Sequence, residues 1–175
     1  DGMARKKDVD VLSLYSGFST DFGAAGRSMT LANVASAIAY AKGKKFGSNV
    51  YIVQHPFAVF DIANTAVTAS TTYPVPVGWS ADLLGNFFSG LRPINGVPIF
   101  EDGNISIDSS DDAVGVVADK SALAVLKSVD MNKEQDRDIS LRATEIVITA
   151  DYGVFELDDS KGVALTLDAG TPASA

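Results

Sequence analysis

The chain has 175 residues, a formal net charge of −8 and no cysteine, and 46% of its residues are hydrophobic. This apolar content is typical of an ordered globular protein and excludes intrinsic disorder. Without cysteine there is no disulfide, thiolate nucleophile or cysteine-ligated metal site, and the single histidine excludes a two-histidine metal motif. No apolar stretch reaches the roughly 20 residues that span a bilayer, so we expect a soluble chain without a membrane partner.

Charge is distributed unevenly along the chain. Residues 1–100 contain 8 Lys and Arg against 6 Asp and Glu, whereas residues 101–175 contain 6 against 16. This acidic second half argues against a nucleic-acid-binding surface there and is typical of a solvated face.

The first predicted elements are helical. Residues 4–10 are polar and basic and predict the last turn of a helix that begins earlier, and the start at Asp1 indicates the interior of a longer protein. Residues 11–26 are rich in Ser, Gly and aromatics and predict a loop or short hairpin. Thr30 is a good N-cap for a helix that runs to about Lys42.

A strand, a second helix and two loops follow. Residues 49–53 predict a buried strand, and Pro56 then occupies a permitted first-turn position of a helix with apolar contacts from Phe57, Phe60 and Ile62. Residues 65–77 predict an extended loop, and Ser80 can cap a short helix. Apolar contacts there come from Leu83, Leu84, Phe87 and Phe88.

The second half is predicted to be mainly strands. The Asn95-Gly96 turn leads into a short strand, residues 102–112 form an acidic loop, and residues 113–117 form a core strand. Residues 131–138 are strongly charged and predict a linker or exposed turn. Residues 139–157 carry the clearest β pattern, with a bend at 150–153, and residues 163–167 form the last strand before a frayed tail. The pattern is mixed α+β.

Four groups of residues could carry chemistry, and for each we favour a structural role. His55 with Asp61 is the only candidate for imidazole acid-base catalysis, but no Gly-x-Ser-x-Gly elbow accompanies it. A glycine-rich loop before the Thr30 helix lacks both the Walker and the dinucleotide-binding spacing. These glycines are Gly17, Gly23 and Gly26.

Two acidic groups complete the candidates. The first could bind Ca²⁺ but lacks EF-hand spacing, so a solvated loop is the better interpretation. It consists of Glu101, Asp102, Asp108, Asp111 and Asp112. The second, Glu156, Asp158 and Asp159, could imitate glycosidase carboxylates but lies at a turn. We therefore predict no catalytic, cofactor-binding or metal-binding residues and no enzymatic activity.

The order of segments resembles the C-terminal portion of the major capsid proteins of tailed double-stranded DNA bacteriophages, which have the Hong Kong 97-like fold. The similar segments are residues 4–10, 29–34, 50–56 (VYIVQHP), 94–100 (INGVPIF), 114–117 and 142–167. The resemblance implies that residues 1–11 end the spine helix, residues 12–130 form the axial domain and residues 131–175 form C-terminal strands of the peripheral domain. The N-terminal arm and the E-loop are expected to be absent from this sequence.

The resemblance implies a structural subunit of an icosahedral virion capsid, built from pentamers and hexamers that enclose the double-stranded DNA genome. Its partners would be further copies of itself, with scaffolding, portal and decoration proteins and with packaged DNA held non-specifically. Assembly is expected in the host cytoplasm, and no cofactor is expected. Alternatives left open are an encapsulin-type shell protein, a calcium-dependent binding or adhesion module suggested by the acidic loop, and a hydrolase that uses His55.

Overall fold

A computed structural model describes residues 2–67 and 96–172. Its helices are α1 (Gly2–Leu12), α2 (Leu31–Gly43) and α3 (Pro56–Val67), with short 3₁₀ turns at Ser13–Gly17 and Asp159–Lys161. Its strands are β1 (Val50–Gln54), β2 (Ile99–Glu101), β3 (Asp112–Asp119), β4 (Leu123–Asp138), β5 (Ala143–Glu156) and β6 (Gly162–Asp168). The predicted mixed α+β class is confirmed, whereas the expectations for residues 68–95 lie outside the described residues.

Helix α2 begins where the sequence indicates. The Thr30 hydroxyl accepts a hydrogen bond from the backbone N–H of Asn33 at 3.2 Å, which satisfies one of the free donors of the first turn. Val34, Ala37, Ile38 and Ala41 form its buried stripe. Leu31, the first residue of the helix, lies outside this stripe and is 41% exposed.

Helix α3 is longer than expected and buries a different face. It continues to Val67, so the extended loop predicted from residue 65 is wrong for its first three residues. Ala58, Val59 and Ile62 are buried, whereas Phe60 is 48% exposed, which contradicts its predicted core role. Since Ala58 and Ile62 are four positions apart, they share the inner side of the helix while Phe60 lies away from it.

The core is built on a four-stranded sheet of order β2-β1-β3-β6. β1 pairs parallel with β2 and antiparallel with β3, and β3 pairs antiparallel with β6. Buried Gln54 ties β1 to β6 because its amide nitrogen donates to the carbonyl of Leu165 at 3.1 Å. Gly115 of β3 leaves room for this side chain, since an added Cβ would lie 2.5 Å from the Gln54 Oε1.

The segment after α1 covers the outer edge of this sheet and forms no hairpin of its own. α1 runs on to Leu12 and a 3₁₀ turn follows, so the predicted loop or hairpin from residue 11 is wrong at its start. Ala164 of β6 donates its N–H to the Thr20 carbonyl at 2.8 Å and accepts from the Phe22 N–H at 3.0 Å. These two bonds satisfy both backbone groups of Ala164 at the edge of the sheet.

β4 and β5 form a separate two-stranded sheet, which we call the ribbon. Residues 131–138 belong to β4, so the predicted linker or turn there is wrong, and the turn of the hairpin is at residues 139–142. Charged side chains suit this strand because both of its sides are exposed. The register shifts next to Val129, whose partner is Asp151, so the predicted bend at 150–153 coincides with bulges on the opposite strand.

The chain after β6 begins as an ordered segment. Ala169 is buried and donates its N–H to the Asp111 carbonyl at 2.7 Å. The predicted frayed tail is therefore wrong at its first residue, because a backbone hydrogen bond holds Ala169 against the loop before β3.

Candidate assembly surface

The ribbon is the part of the described chain most exposed to solvent. Every residue from Val125 to Arg137 on β4 is exposed, as is every residue from Ala143 to Thr149 on β5. Within the described ranges, neither strand pairs with the four-stranded sheet. An isolated two-stranded sheet is marginally stable in water, so packing of its faces has to supply its stability.

The ribbon also exposes a concentration of large apolar side chains. At the hairpin turn Ile139 is 84% exposed and Leu141 is 76% exposed. The exposed apolar residues along the strands are Val125, Leu126, Val129, Met131, Ile146, Val147, Ile148 and Phe155. Large apolar side chains exposed in this number on one small sheet are typical of an interaction surface.

The pairing register divides the distal ribbon, residues 132–138 and 143–149, into two faces. Residues opposite each other in an antiparallel pair lie on the same side, and successive residues alternate. One face, the acid face, contains the pairs Glu134 with Val147, Asp136 with Glu145, and Asp138 with Ala143. The other, the helix face, contains Lys133 with Ile148, Gln135 with Ile146, and Arg137 with Thr144.

Charge is segregated between these two faces. Within residues 132–138 and 143–149, all the carboxylates lie on the acid face and both cations, Lys133 and Arg137, lie on the helix face. Asp136 stands directly opposite Glu145, an arrangement of like charges that destabilises an antiparallel pair. The ribbon therefore presents two different and electrically opposite surfaces.

α1 borders the helix face. Its first residues Gly2, Met3 and Ala4 line a shallow groove together with the ribbon residues Met131, Ile146 and Ile148. This groove is apolar and opens beside the two cations of the same face.

Polar contacts fix α1 to the part of the ribbon around Asp130 and Tyr152. Lys7 Nζ lies 3.1 Å from the Asp130 Oδ1 and 5.3 Å from the centroid of the Tyr152 ring. The Tyr152 hydroxyl donates to the Asp10 carboxylate at 2.6 Å. This hydrogen bond, followed by the one from Lys6, lowers the pKa of Asp10, and it raises the pKa of Tyr152. These contacts therefore hold α1 against β4 and β5 near Asp130 and Tyr152.

A carboxylate pair lies where the ribbon joins the four-stranded sheet. Glu156 ends β5, and burial, followed by repulsion from Asp159, raises its pKa. Asp159 accepts hydrogen bonds from the N–H and the hydroxyl of Ser19, which lower its pKa. Asp158 accepts from Ser160 in its own turn. Of these three acids, Asp159 links the turn before β6 to the segment after α1 through Ser19.

His55 serves as the cap of α3. Its Nδ1 accepts the backbone N–H of Phe57 at 3.2 Å, and its ring packs edge-on against the Phe57 ring at 4.8 Å. Burial lowers the pKa of His55, and the negative charge of Asp102 opposes that shift. Asp61 lies further along α3, away from the cap. The lone pair of Nδ1 therefore accepts a hydrogen bond from the backbone.

The glycine-rich loop packs against β6. An added Cβ at Gly23 would lie 1.9 Å from the Thr166 carbonyl oxygen, and Gly26 has a φ of +69°. Gly17 ends the 3₁₀ turn beside the Glu156 carboxylate. These glycines allow close packing against β6 and a turn of the backbone.

The acids of residues 101–112 are dispersed into separate turns. Asp102 Oδ1 accepts the Asn104 N–H at 2.8 Å, and Asp108 Oδ1 accepts the Ser110 N–H at 2.7 Å. Asp112 is buried and accepts the Gly26 N–H at 2.7 Å. Residues 2–67 and 96–172 contain no group of three or more His, Cys, Asp or Glu placed to hold a metal ion.

No helix of the described residues is long and apolar enough to cross a membrane.

Sequence reasoning missed the ribbon surface. The signal was the run from Lys133 to Asp138, in which basic or neutral residues alternate with acids at a period of two. This period places the two kinds of residue on opposite faces of a strand. High charge density concealed it, because exposed strands and linkers have similar compositions.

No protein-family model and no curated protein sequence matches the chain. Solved structures do match. A chain of Mycobacterium phage Che8 superposes with a TM-score of 0.73 at 18% identity, covering 94% of this chain and 59% of its own.

Two further matches extend the comparison. The head structure of Helicobacter pylori bacteriophage KHP40 matches with a TM-score of 0.68 at 13% identity, covering 95% of this chain and 66% of that one. The SrpI encapsulin of Synechococcus elongatus matches with a TM-score of 0.64 at 10% identity, covering 99% and 64%. The chain therefore has the fold of phage capsid proteins and spans about three fifths of the length of the first match.

Proposed function

We propose that this chain is part of the structural subunit of an icosahedral phage capsid. Many copies would assemble into pentamers and hexamers that close a shell around the double-stranded DNA genome. The observation that supports this most directly is the ribbon, which exposes apolar side chains on both strands in a fold that phage capsid chains share. Such a surface is suited to burial between subunits.

The proposal includes the Hong Kong 97-like assignment of segments. In it, residues 1–11 end the spine helix, residues 12–130 form the axial domain and residues 131–175 contribute C-terminal strands of the peripheral domain. The bracing of β4 and β5 by α1 supports a peripheral region built on the spine helix. The four-stranded sheet contains strands from both the axial and the peripheral segment. β3 lies in the first and β6 in the second, and the two strands pair with each other.

The proposed role is structural and non-enzymatic, and its site is the virion. Copies of the same chain are the main partners, whereas scaffolding, portal and decoration proteins and non-specifically held DNA are further partners of the proposal. The proposal also includes assembly in the host cytoplasm and a subunit without a cofactor. The hydrogen-bonded use of His55 and of the acids at residues 101–112 supports the assignment of these groups to structure.

Electron microscopy of the purified full-length protein that contains this chain, expressed alone, with sedimentation velocity on the same sample, tests this proposal. Closed shells, rings or tubes are expected, together with fast-sedimenting species whose amount rises with concentration. A chain that stays monomeric over a wide concentration range would contradict it. The DNA content of particles isolated from their native source separates the two shell candidates, because a phage capsid encloses the genome.

An encapsulin-type shell is the second candidate. It is favoured by the SrpI match, which covers 99% of this chain, although its TM-score of 0.64 lies below the 0.73 of the Che8 chain.

A further inference from the structure

We propose that the acid face of the ribbon in one copy docks on the helix face of the ribbon in a neighbouring copy. This inference rests on the proposed self-assembly of the chain and names the two surfaces that meet. The occupant is a second copy because the chain itself carries both halves of a complementary pair.

The first argument is charge. The helix face presents Lys133 and Arg137, and the acid face presents Glu134, Asp136 and Glu145, with Asp138 at its end. Two copies that brought like faces together would oppose charges of the same sign, whereas unlike faces attract. Charge complementarity therefore selects the contact between one acid face and one helix face.

The second argument is the repulsion within the acid face. Asp136 and Glu145 are a directly opposed pair of like charges, and in an isolated chain that pair works against the pairing of β4 with β5. Cations from a neighbouring ribbon placed above this pair would remove the repulsion. Docking thus stabilises the strand pairing that the monomer leaves strained.

The third argument is the apolar centre of the helix face. Ile146 is 53% exposed and Ile148 is 48% exposed, and both lie in the groove beside the first turn of α1. On the acid face, Val147 is exposed between Glu134 and Glu145. An apolar centre with charged groups around it is the usual organisation of a protein interface.

The resulting contact is head-to-tail because the two faces differ. A two-fold dimer would have to match each face with itself, which the charges disfavour. A head-to-tail contact repeats from copy to copy and forms a ring where its rotation closes, and each ribbon in such a ring is covered on both sides.

A pair of charge-reversed variants tests the contact in the full chain. The acid-face variant carries Glu134→Lys, Asp136→Lys and Glu145→Lys, and the helix-face variant carries Lys133→Glu and Arg137→Glu. Each variant alone then has faces of one sign, so the assembled fraction in sedimentation velocity should fall by about tenfold or more. An equimolar mixture restores attraction wherever the two variants alternate, so it should assemble to a clearly greater extent than either variant alone.

Controls separate this effect from general charge or folding effects. Arg27→Glu with Lys120→Glu makes the same charge change as the helix-face variant at exposed positions away from the ribbon. It should assemble normally. Circular dichroism melting checks that each variant folds. If a reversal unfolds the chain, the neutral set Lys133→Gln and Arg137→Gln replaces it, and the expected result is a smaller loss of assembly.

The outcomes distinguish this inference from the proposed function. Normal assembly of either variant alone, or a mixture that assembles no better than either variant while the wild type assembles, would overturn the ribbon contact and leave the capsid proposal standing. The second of these results would indicate that another segment or protein covers the ribbon. A monomeric wild type would contradict both proposals.

Discussion

At the scale of single residues, His55 illustrates how a chemically capable group is used for folding. The backbone N–H of Phe57 donates to its Nδ1, so the neutral imidazole caps α3. We expect His55→Ala to lower the free energy of unfolding by about 1 kcal/mol, because the cap is lost. His55→Asn should retain most of that stability, since an asparagine side chain also caps. Urea unfolding at pH 7.5 measures both, and equal losses would contradict the capping role.

The burial of His55 makes stability depend on pH. Burial lowers the folded-state pKa of His55 below its ordinary value, so the unfolded state binds the proton more readily. This contribution to stability is fully present above the unfolded pKa of about 6.5 and is lost as pH falls through the lower, folded-state pKa. We expect the melting temperature of the wild type to fall between pH 7.5 and 5.5. In His55→Asn this fall should be smaller; an unchanged pH dependence would rule out the imidazole as its source.

Gly23 gives a second prediction at this scale. An added Cβ would lie 1.9 Å from the Thr166 carbonyl oxygen, where β6 and the loop meet. We expect Gly23→Ala to destabilise the fold by about 1–3 kcal/mol, because the loop has to move away from β6. Gly103→Ala is the matched control, since nothing lies within 4 Å of its added Cβ. Similar losses in both variants by thermal melting would show that the close approach is not the cause.

At the scale of elements, the contact between α1 and the ribbon decides how rigid the ribbon is. Lys7 bonds to Asp130 and covers the Tyr152 ring, while the four-stranded sheet has its own core. We expect Lys7→Ala to speed amide hydrogen exchange along β4 and β5 and to leave exchange in β3 and β6 unchanged, because only the brace is lost.

Lys120→Ala removes an exposed lysine that lies outside the α1 contacts and serves as the control for this exchange measurement. If Lys7→Ala accelerated exchange in the four-stranded sheet to the same extent, the ribbon would not be a separately braced unit.

The elements that sequence reasoning identified are those with local signals. α2 has its Thr30 cap and β3 has an unbroken apolar run that is buried on both sides. β4 was missed because its side chains bury little and its partner strand, not its composition, makes it a strand. The two faces of the ribbon depend on the pairing register, which is a long-range property that bulges near Val129 adjust.

At the scale of the whole molecule, acids of residues 101–112 act as hydrogen-bond acceptors that hold turns of the fold together. Each of Asp102, Asp108 and Asp112 accepts backbone hydrogen bonds from its own turn or from Gly26. We expect calcium at millimolar concentration to leave the melting temperature unchanged, since a ligand stabilises the fold only if the folded state binds it. A saturable rise in melting temperature with calcium, absent with magnesium, would revive the adhesion-module alternative.

The separation of a buried sheet from an exposed ribbon also predicts how stability and association respond to substitution. Ile146 and Ile148 lie outside the core clusters that stabilise the four-stranded sheet, and both are about half exposed. We expect Ile146→Ser with Ile148→Ser to reduce assembly strongly in sedimentation velocity while the melting temperature of the unassembled chain changes little, because only buried apolar area stabilises the monomer.

Leu31→Ser is the matched control for this pair, since Leu31 is a similarly exposed apolar residue on α2. It should leave assembly intact. Equal loss of assembly in both variants would indicate that total surface hydrophobicity drives association. A large fall in melting temperature for the ribbon variant alone would instead make Ile146 and Ile148 part of the folding core. Unchanged assembly in the ribbon variant would remove the apolar centre from the proposed contact and leave only its charges.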